Sequence, residues 1–117
     1  MLTKDQTVVA RDVELGYITE EQAKTDARRS ILLYAIGTSD VIIPDMFYGE
    51  TKKDAVYMLC SDGFRHEITN DEMHQYMNPF CIYEPLQMRQ NMKSLIELNK
   101  QRQESDNITV VSVRTFE

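Results

Sequence analysis

Apolar positions along the chain change their spacing at a few points, and each change marks an element. The stretch "AVYMLCSDGF" runs from a continuous apolar segment straight into Ser-Asp-Gly. Its length and composition predict a buried strand over Ala55 to Ser61, with Cys60 as a buried thiol. "ITVVSVRTF", from Ile108 to Phe116, is nearly continuous in β-branched residues, the pattern of a strand buried on both faces. "ILLYAI" (Ile31 to Ile36) is short and apolar and ends at Gly37. It fits a strand or a buried helical turn, and its length and the glycine favour a strand. "VIIPDMFY" is β-rich, but Pro44 cannot donate to a ladder, so that strand belongs at an edge or breaks there. With "GETKKD" as a polar turn, 41–60 reads as strand–turn–strand.

The remaining segments follow helical spacing. Thr3 to Gly16 reads as a helix capped by Asp5, with Val9 and Val13 on one face and Gly16 as terminator. A second follows at Thr19, where "TEEQ" makes a capping box with Gln22, and runs to about Arg28. This pair is short and strongly charged and need not join a core. Thr69 and Glu72 make another capping box, for a helix that stops near Pro79. Pro85 suits the first turn of a last helix. There Met88, Met92, Leu95 and Asn99 recur at helical spacing, a stripe that reads as core packing. The elements together predict an α+β class, with antiparallel sheet and flanking helices.

A chain of 117 residues, 42% hydrophobic and 27% charged, fits one domain with a core. The net charge of −6 argues against a nucleic-acid partner, which requires a basic stripe. No stretch reaches the ~20 apolar residues of a membrane helix, and "MLTKDQ" lacks a signal-peptide pattern. Cys60 and Cys81 make neither a disulfide framework nor a zinc motif. These features suggest a soluble, cytoplasmic protein.

The candidate chemistry lies at strand ends. Asp62 follows one predicted strand and Asp106 precedes another, in "SDNITVV". If the strands are antiparallel neighbours, both carboxylates reach the same rim. Held close, they would repel unless a cation lay between them, and carboxylate oxygens suit Mg²⁺ or Mn²⁺. Asp-Gly and Asp-Asn are also ordinary turn punctuation, so the residues alone leave both readings open. His66, just beyond the turn, fits an acid at that rim or a surface histidine at a strand end. His74 lies in a charged helix and reads as solvated.

The order of "LTKDQ", "GYITEEQAKTDARRSILLYAIG", "YMLCSDGF" and "SDNITVVSV" resembles the metal-dependent protein phosphatases of the PP2C (PPM) family, bacterial type. The resemblance spans essentially the whole chain. It implies a serine/threonine phosphatase with two Mg²⁺ or Mn²⁺ ions that activate a water, acting on phosphorylated Ser/Thr proteins. It implies that Asp62 and Asp106 are metal ligands and that Gly63 and Asn107 support them. It also implies that about 7–29 is a flap-like helical segment, and that the fold is part of an α-β-β-α sandwich. Gln6 stands where the family often has His, so neither Gln6 nor Asp5 receives a role.

The family's earlier motifs are absent. Of the four glycines only Gly63 follows an aspartate, so there is no second metal-binding Asp-Gly. The family's phosphate-binding arginine is absent too. Residues 1–117 therefore read as the C-terminal part of a PP2C-like domain, inactive in isolation and able to form a homo-oligomer through exposed sheet edges. The alternatives are a truncated, non-catalytic module that binds a partner and a small structural domain in which DG and DN are turns only.

Overall fold

The computed structural model describes residues 1–38 and 40–116. The chain divides into two compact units, Met1–Gly49 and Glu50–Glu117.

The first unit contains α1 (Val8–Glu14) and α2 (Glu20–Thr25). α1 is shorter than the spacing predicts, and its cap is Thr7, whose hydroxyl accepts the Ala10 N–H at 3.1 Å, rather than Asp5. Gly16 ends it at φ +76°, a left-handed conformation that glycine adopts without strain. α2 opens on the predicted capping box: the Gln22 N–H donates to Thr19 Oγ1 and the Thr19 N–H to Gln22 Oε1. It buries no residue. Among its described residues, Val9 and Asp12 are the buried ones. Asp12 receives Arg28 Nη1 at 3.0 Å, and Arg28 also grips Asp26, so one guanidinium ties the end of the helical pair back to α1.

Neither predicted strand of this region forms. "ILLYAI" makes only a bridge between Leu32 and Thr7, with Val8 N–H donating to Ile31 O and Leu33 N–H to Gln6 O. The 41–60 hairpin is replaced by irregular chain followed by a single strand. Pro44 removes a donor, and no described segment pairs with residues 41–50. Ile36, Val41, Ile43 and Met46 are exposed.

The second unit holds the core. β1 (Val56–Cys60) pairs antiparallel with β2 (Val110–Arg114), from Val56↔Arg114 to Cys60↔Val110. Between them come a 3₁₀ turn (Asp62–Phe64), α3 (Asn70–Met77), a second 3₁₀ turn (Pro79–Cys81) and α4 (Pro85–Gln101). α3 starts on the Thr69–Glu72 capping box, and Pro85 occupies the first turn of α4. Phe64, Ile68, Met77, Ile82 and Leu95 form the buried cluster, with Val56, Met58, Met88, Met92 and Val110 against it. The α4 stripe is thus core packing.

Two expectations about burial are corrected. β2 buries one face rather than two, since Val111 and Val113 are about half exposed beside exposed Leu59. Cys60, expected to be buried, is exposed at the end of β1. Among the described residues no helix is long and apolar enough to cross a membrane.

Candidate metal centre

The two turns that carry the aspartates touch. Beyond the last pair of the ladder, Ser61 N–H donates to Thr109 O at 3.0 Å, and Thr109 N–H returns a bond to Ser61 Oγ. Ser61 Oγ also donates to Asn107 O at 3.0 Å. The serine before Asp62 therefore staples the SDG turn to the SDN loop. Gly63 makes the close approach possible: a Cβ there would lie 2.6 Å from Asn107 O and 3.2 Å from Asp106 Cβ. No side chain fits against that backbone carbonyl.

Asp62 and Asp106 consequently lie at one end of the two-stranded sheet. Asp62 Oδ1 accepts the Gly63 N–H at 3.0 Å, and Asp106 Oδ1 accepts the Asn107 N–H at 2.7 Å. Each aspartate braces its own turn, and the Asp62 side chain stays 59% exposed. Asn107 enters through its carbonyl, which receives Ser61.

Gln103, Glu104, His66 and Asn99 also support the rim; the sequence offers His66 as an acid there or a surface histidine and assigns the other three no such part. Gln103 takes φ +68° just after α4, turning the chain sharply. That places Glu104 where Oε1 accepts the Asp106 N–H at 2.8 Å and Oε2 lies 3.0 Å from His66 Nδ1. The Asp106 amide, then the His66 ring, hold the Glu104 carboxyl below its usual range. His66 Nε2 is 3.8 Å from Asp62 Oδ2, so the imidazole sits between the carboxylates of the two loops. Asn99 is fully buried, and its Nδ2 donates to Phe64 O at 2.8 Å and Leu95 O at 3.0 Å, pinning the SDG turn to α4. Its place in an apolar stripe was the available signal, since a buried amide requires partners. His74 is exposed on α3, as read from its charged neighbours.

Among the described residues, no group of three or more His, Cys, Asp or Glu side chains is arranged to hold a metal ion.

No family model matches the chain. Individual proteins do. It is 28% identical over 113 residues to a protein phosphatase 2C-type protein of Streptococcus pyogenes, covering 97% of this chain and 44% of that protein. It is 33% identical over 113 residues to the serine/threonine protein phosphatase PstP of Mycobacterium tuberculosis, covering 94% of this chain and 20% of that protein. The solved structure of a Streptococcus agalactiae serine/threonine phosphatase superposes with a TM-score of 0.81 at 26% identity. That match covers 99% of this chain and 46% of the other. This chain carries part of the PP2C-type phosphatase fold. It spans less than half the length of these PP2C-type relatives. The α+β class with an antiparallel sheet and flanking helices agrees with the sequence expectation.

Proposed function

We propose that this chain is part of a PP2C-type protein serine/threonine phosphatase domain that hydrolyses phospho-Ser and phospho-Thr in proteins. Within it, Asp62 and Asp106 are two of the metal ligands. One observation carries the reading: the two Asp-bearing turns are stapled together at one end of the sheet, with Gly63 against the Asn107 carbonyl and Asp106 Cβ. Hard carboxylate oxygens suit Mg²⁺ or Mn²⁺, and two of them fit part of a ligand set, the rest coming from the part of the domain that this chain does not span. When bound, such ions lower the pKa of a water and offset charge on phosphoryl oxygens. The chain's own residues orient the site. Asp62 and Asp106 present oxygens from braced turns, Glu104 and His66 hold the two loops in register, and Asn107 receives Ser61. Segment 7–29 is the flap by its likeness to the family, and the setting is cytoplasmic.

The isolated chain is expected to be inactive on a phosphopeptide with Mn²⁺, because two aspartates do not complete a two-ion site. The test is Mn²⁺ relaxation of backbone amide signals. Line broadening centred on Asp62 to Gly63 and Asp106 to Asn107, lost in Asp62→Asn, is the expected result. Broadening elsewhere, or turnover by the isolated chain that survives Asp62→Ala, would remove the assignment.

The outer face of the sheet favours a second reading, a non-catalytic module that binds a partner or a second copy. Leu59, Val111 and Val113 form an exposed apolar strip on a two-stranded sheet with two open edges. Light scattering at micromolar concentration distinguishes a stable monomer from an oligomer that closes this face.

A further inference from the structure

Glu104 reaches both aspartate turns, and its two oxygens do different things there. Its side chain is 7% exposed. The chain delivers it through Gln103 at φ +68°, a left-handed conformation that costs a glutamine more than a glycine. Glu104 Oε1 accepts the Asp106 N–H at 2.8 Å. Glu104 Oε2 meets His66 Nδ1 at 3.0 Å.

An ionised carboxylate only accepts hydrogen bonds, so the ring nitrogen that faces it must be the donor. In a neutral imidazole the other nitrogen is then an acceptor, because the bond made at one nitrogen sets where the proton sits. That other nitrogen is His66 Nε2, 3.8 Å from Asp62 Oδ2. Two lone pairs therefore face each other across the gap. His66 stands beside Asp62 without donating to it, and the Asp62 oxygen stays open. In the opposite tautomer the Nε2–H would point at Oδ2 and compete for it.

We propose that Glu104 is a positioning residue for both aspartates. One of its oxygens fixes the Asp106 turn through the backbone amide. The other selects the His66 tautomer that leaves Asp62 Oδ2 free for a cation. The cation rests on the metal reading of the rim, whereas the tautomer does not.

The experiment is a long-range ¹H–¹⁵N spectrum of the imidazole rings in the full chain at about pH 9, above the ordinary histidine pKa of about 6.5. His74, exposed on α3, serves as the internal reference. In the wild type the His66 proton is expected on Nδ1. Glu104→Gln separates the two contacts. The Asp106 N–H is a fixed donor, so the amide oxygen stays on it and the NH₂ turns to His66. The His66 proton is then expected on Nε2, with the Asp106 amide signal little moved. Glu104→Ala is expected to move both. Mn²⁺ broadening of the Asp62 and Gly63 amides gives the second readout, and Glu104→Gln is expected to raise the half-maximal Mn²⁺ concentration about tenfold or more, as for residues that orient a metal ligand. A wild-type ring with its proton on Nε2, a Glu104→Gln ring unchanged from wild type, or a switched ring with unchanged Mn²⁺ response overturns the proposal. A wild-type chain with no broadening at the rim removes the metal reading instead, and the ring spectra still decide the part played by Glu104.

Discussion

Thr19 and Thr69 each open a helix with the same device, a hydroxyl on the third amide and a Gln or Glu returning to the cap amide. The two helices then part company. α2 buries nothing, and its surroundings are held by surface ion pairs and turns. α3 buries Met77 in the core, and its Glu72 is taken up a second time, by both Nη atoms of Arg102 at 2.6 and 2.9 Å. Arg102 also donates to Glu67 O, so one side chain ties the end of α4 to the start of α3. A capping box decides where a helix begins. Whether it becomes part of a core depends on what packs against it, because most helical stability in proteins comes from burial of a face rather than from local preference. The two units differ accordingly: Met1–Gly49 rests on caps, turns and the Asp12–Arg28 contact, while Glu50–Glu117 rests on a shared apolar cluster.

The largest test of this contrast removes Phe64. It is fully buried at the junction of the SDG turn and α4, so Phe64→Ala is expected to cost about 3–5 kcal/mol. Denaturant melts report the loss, and residue-resolved hydrogen exchange should place it in Glu50–Glu117. Equal loss of protection in both units would break the contrast.

Gly63→Ala comes next. Its new Cβ meets a backbone carbonyl at 2.6 Å, which no side-chain rotation relieves, so the SDG and SDN loops must separate at a cost of about 1–3 kcal/mol. Thermal melts check the cost, and the amide shifts of Ser61 and Thr109 check its location. An unchanged melting temperature would mean that the loops are not held in contact in solution.

The capping boxes give a matched pair. Thr69→Ala is expected to cost about 1 kcal/mol of global stability. Thr19→Ala should fray α2 with a smaller effect on the global melt, because nothing in α2 is buried. Equal effects would show that α2 is supported as firmly as α3.

The smallest effect sharpens the same pair by acid. Arg102, then the Thr69 amide, holds the Glu72 carboxyl at about 2 rather than its ordinary 4.5. A carboxyl with a depressed folded-state pKa stabilises above the unfolded value and loses that contribution as pH falls through the folded one. The α3 start should therefore weaken between about pH 4.5 and 2, measured by circular dichroism against Glu72→Gln, which removes the dependence. The Gln22 cap at the start of α2 does not titrate, although the Asp26 carboxyl at its other end, held low by Arg28, does, so the comparison is made at the two helix starts.

Much of the fold and site was legible along the chain because the signals are local. Both capping boxes, Pro85 at the head of α4, the Gly16 stop, the two strands and the aspartates at their ends each depend on a few adjacent residues. The failures have a common cause. "ILLYAI" and "VIIPDMFY" have strand composition, but a strand exists only with a neighbour to accept its hydrogen bonds, and no described segment offers either of them a ladder. Burial likewise depends on what lies over a face, which is why Cys60 and the outer face of β2 are open. Glu104 and Asn99 reach the SDG turn through partners 38 and 35 residues away. By itself the sequence determined where elements begin, where they end and which turns carry carboxylates. Only the tertiary structure decided which strands pair, that Gly63 lies against Asn107, and that Asn99 is buried under the SDG turn. Those outcomes depend on contacts between residues far apart along the chain, and no local pattern encodes them.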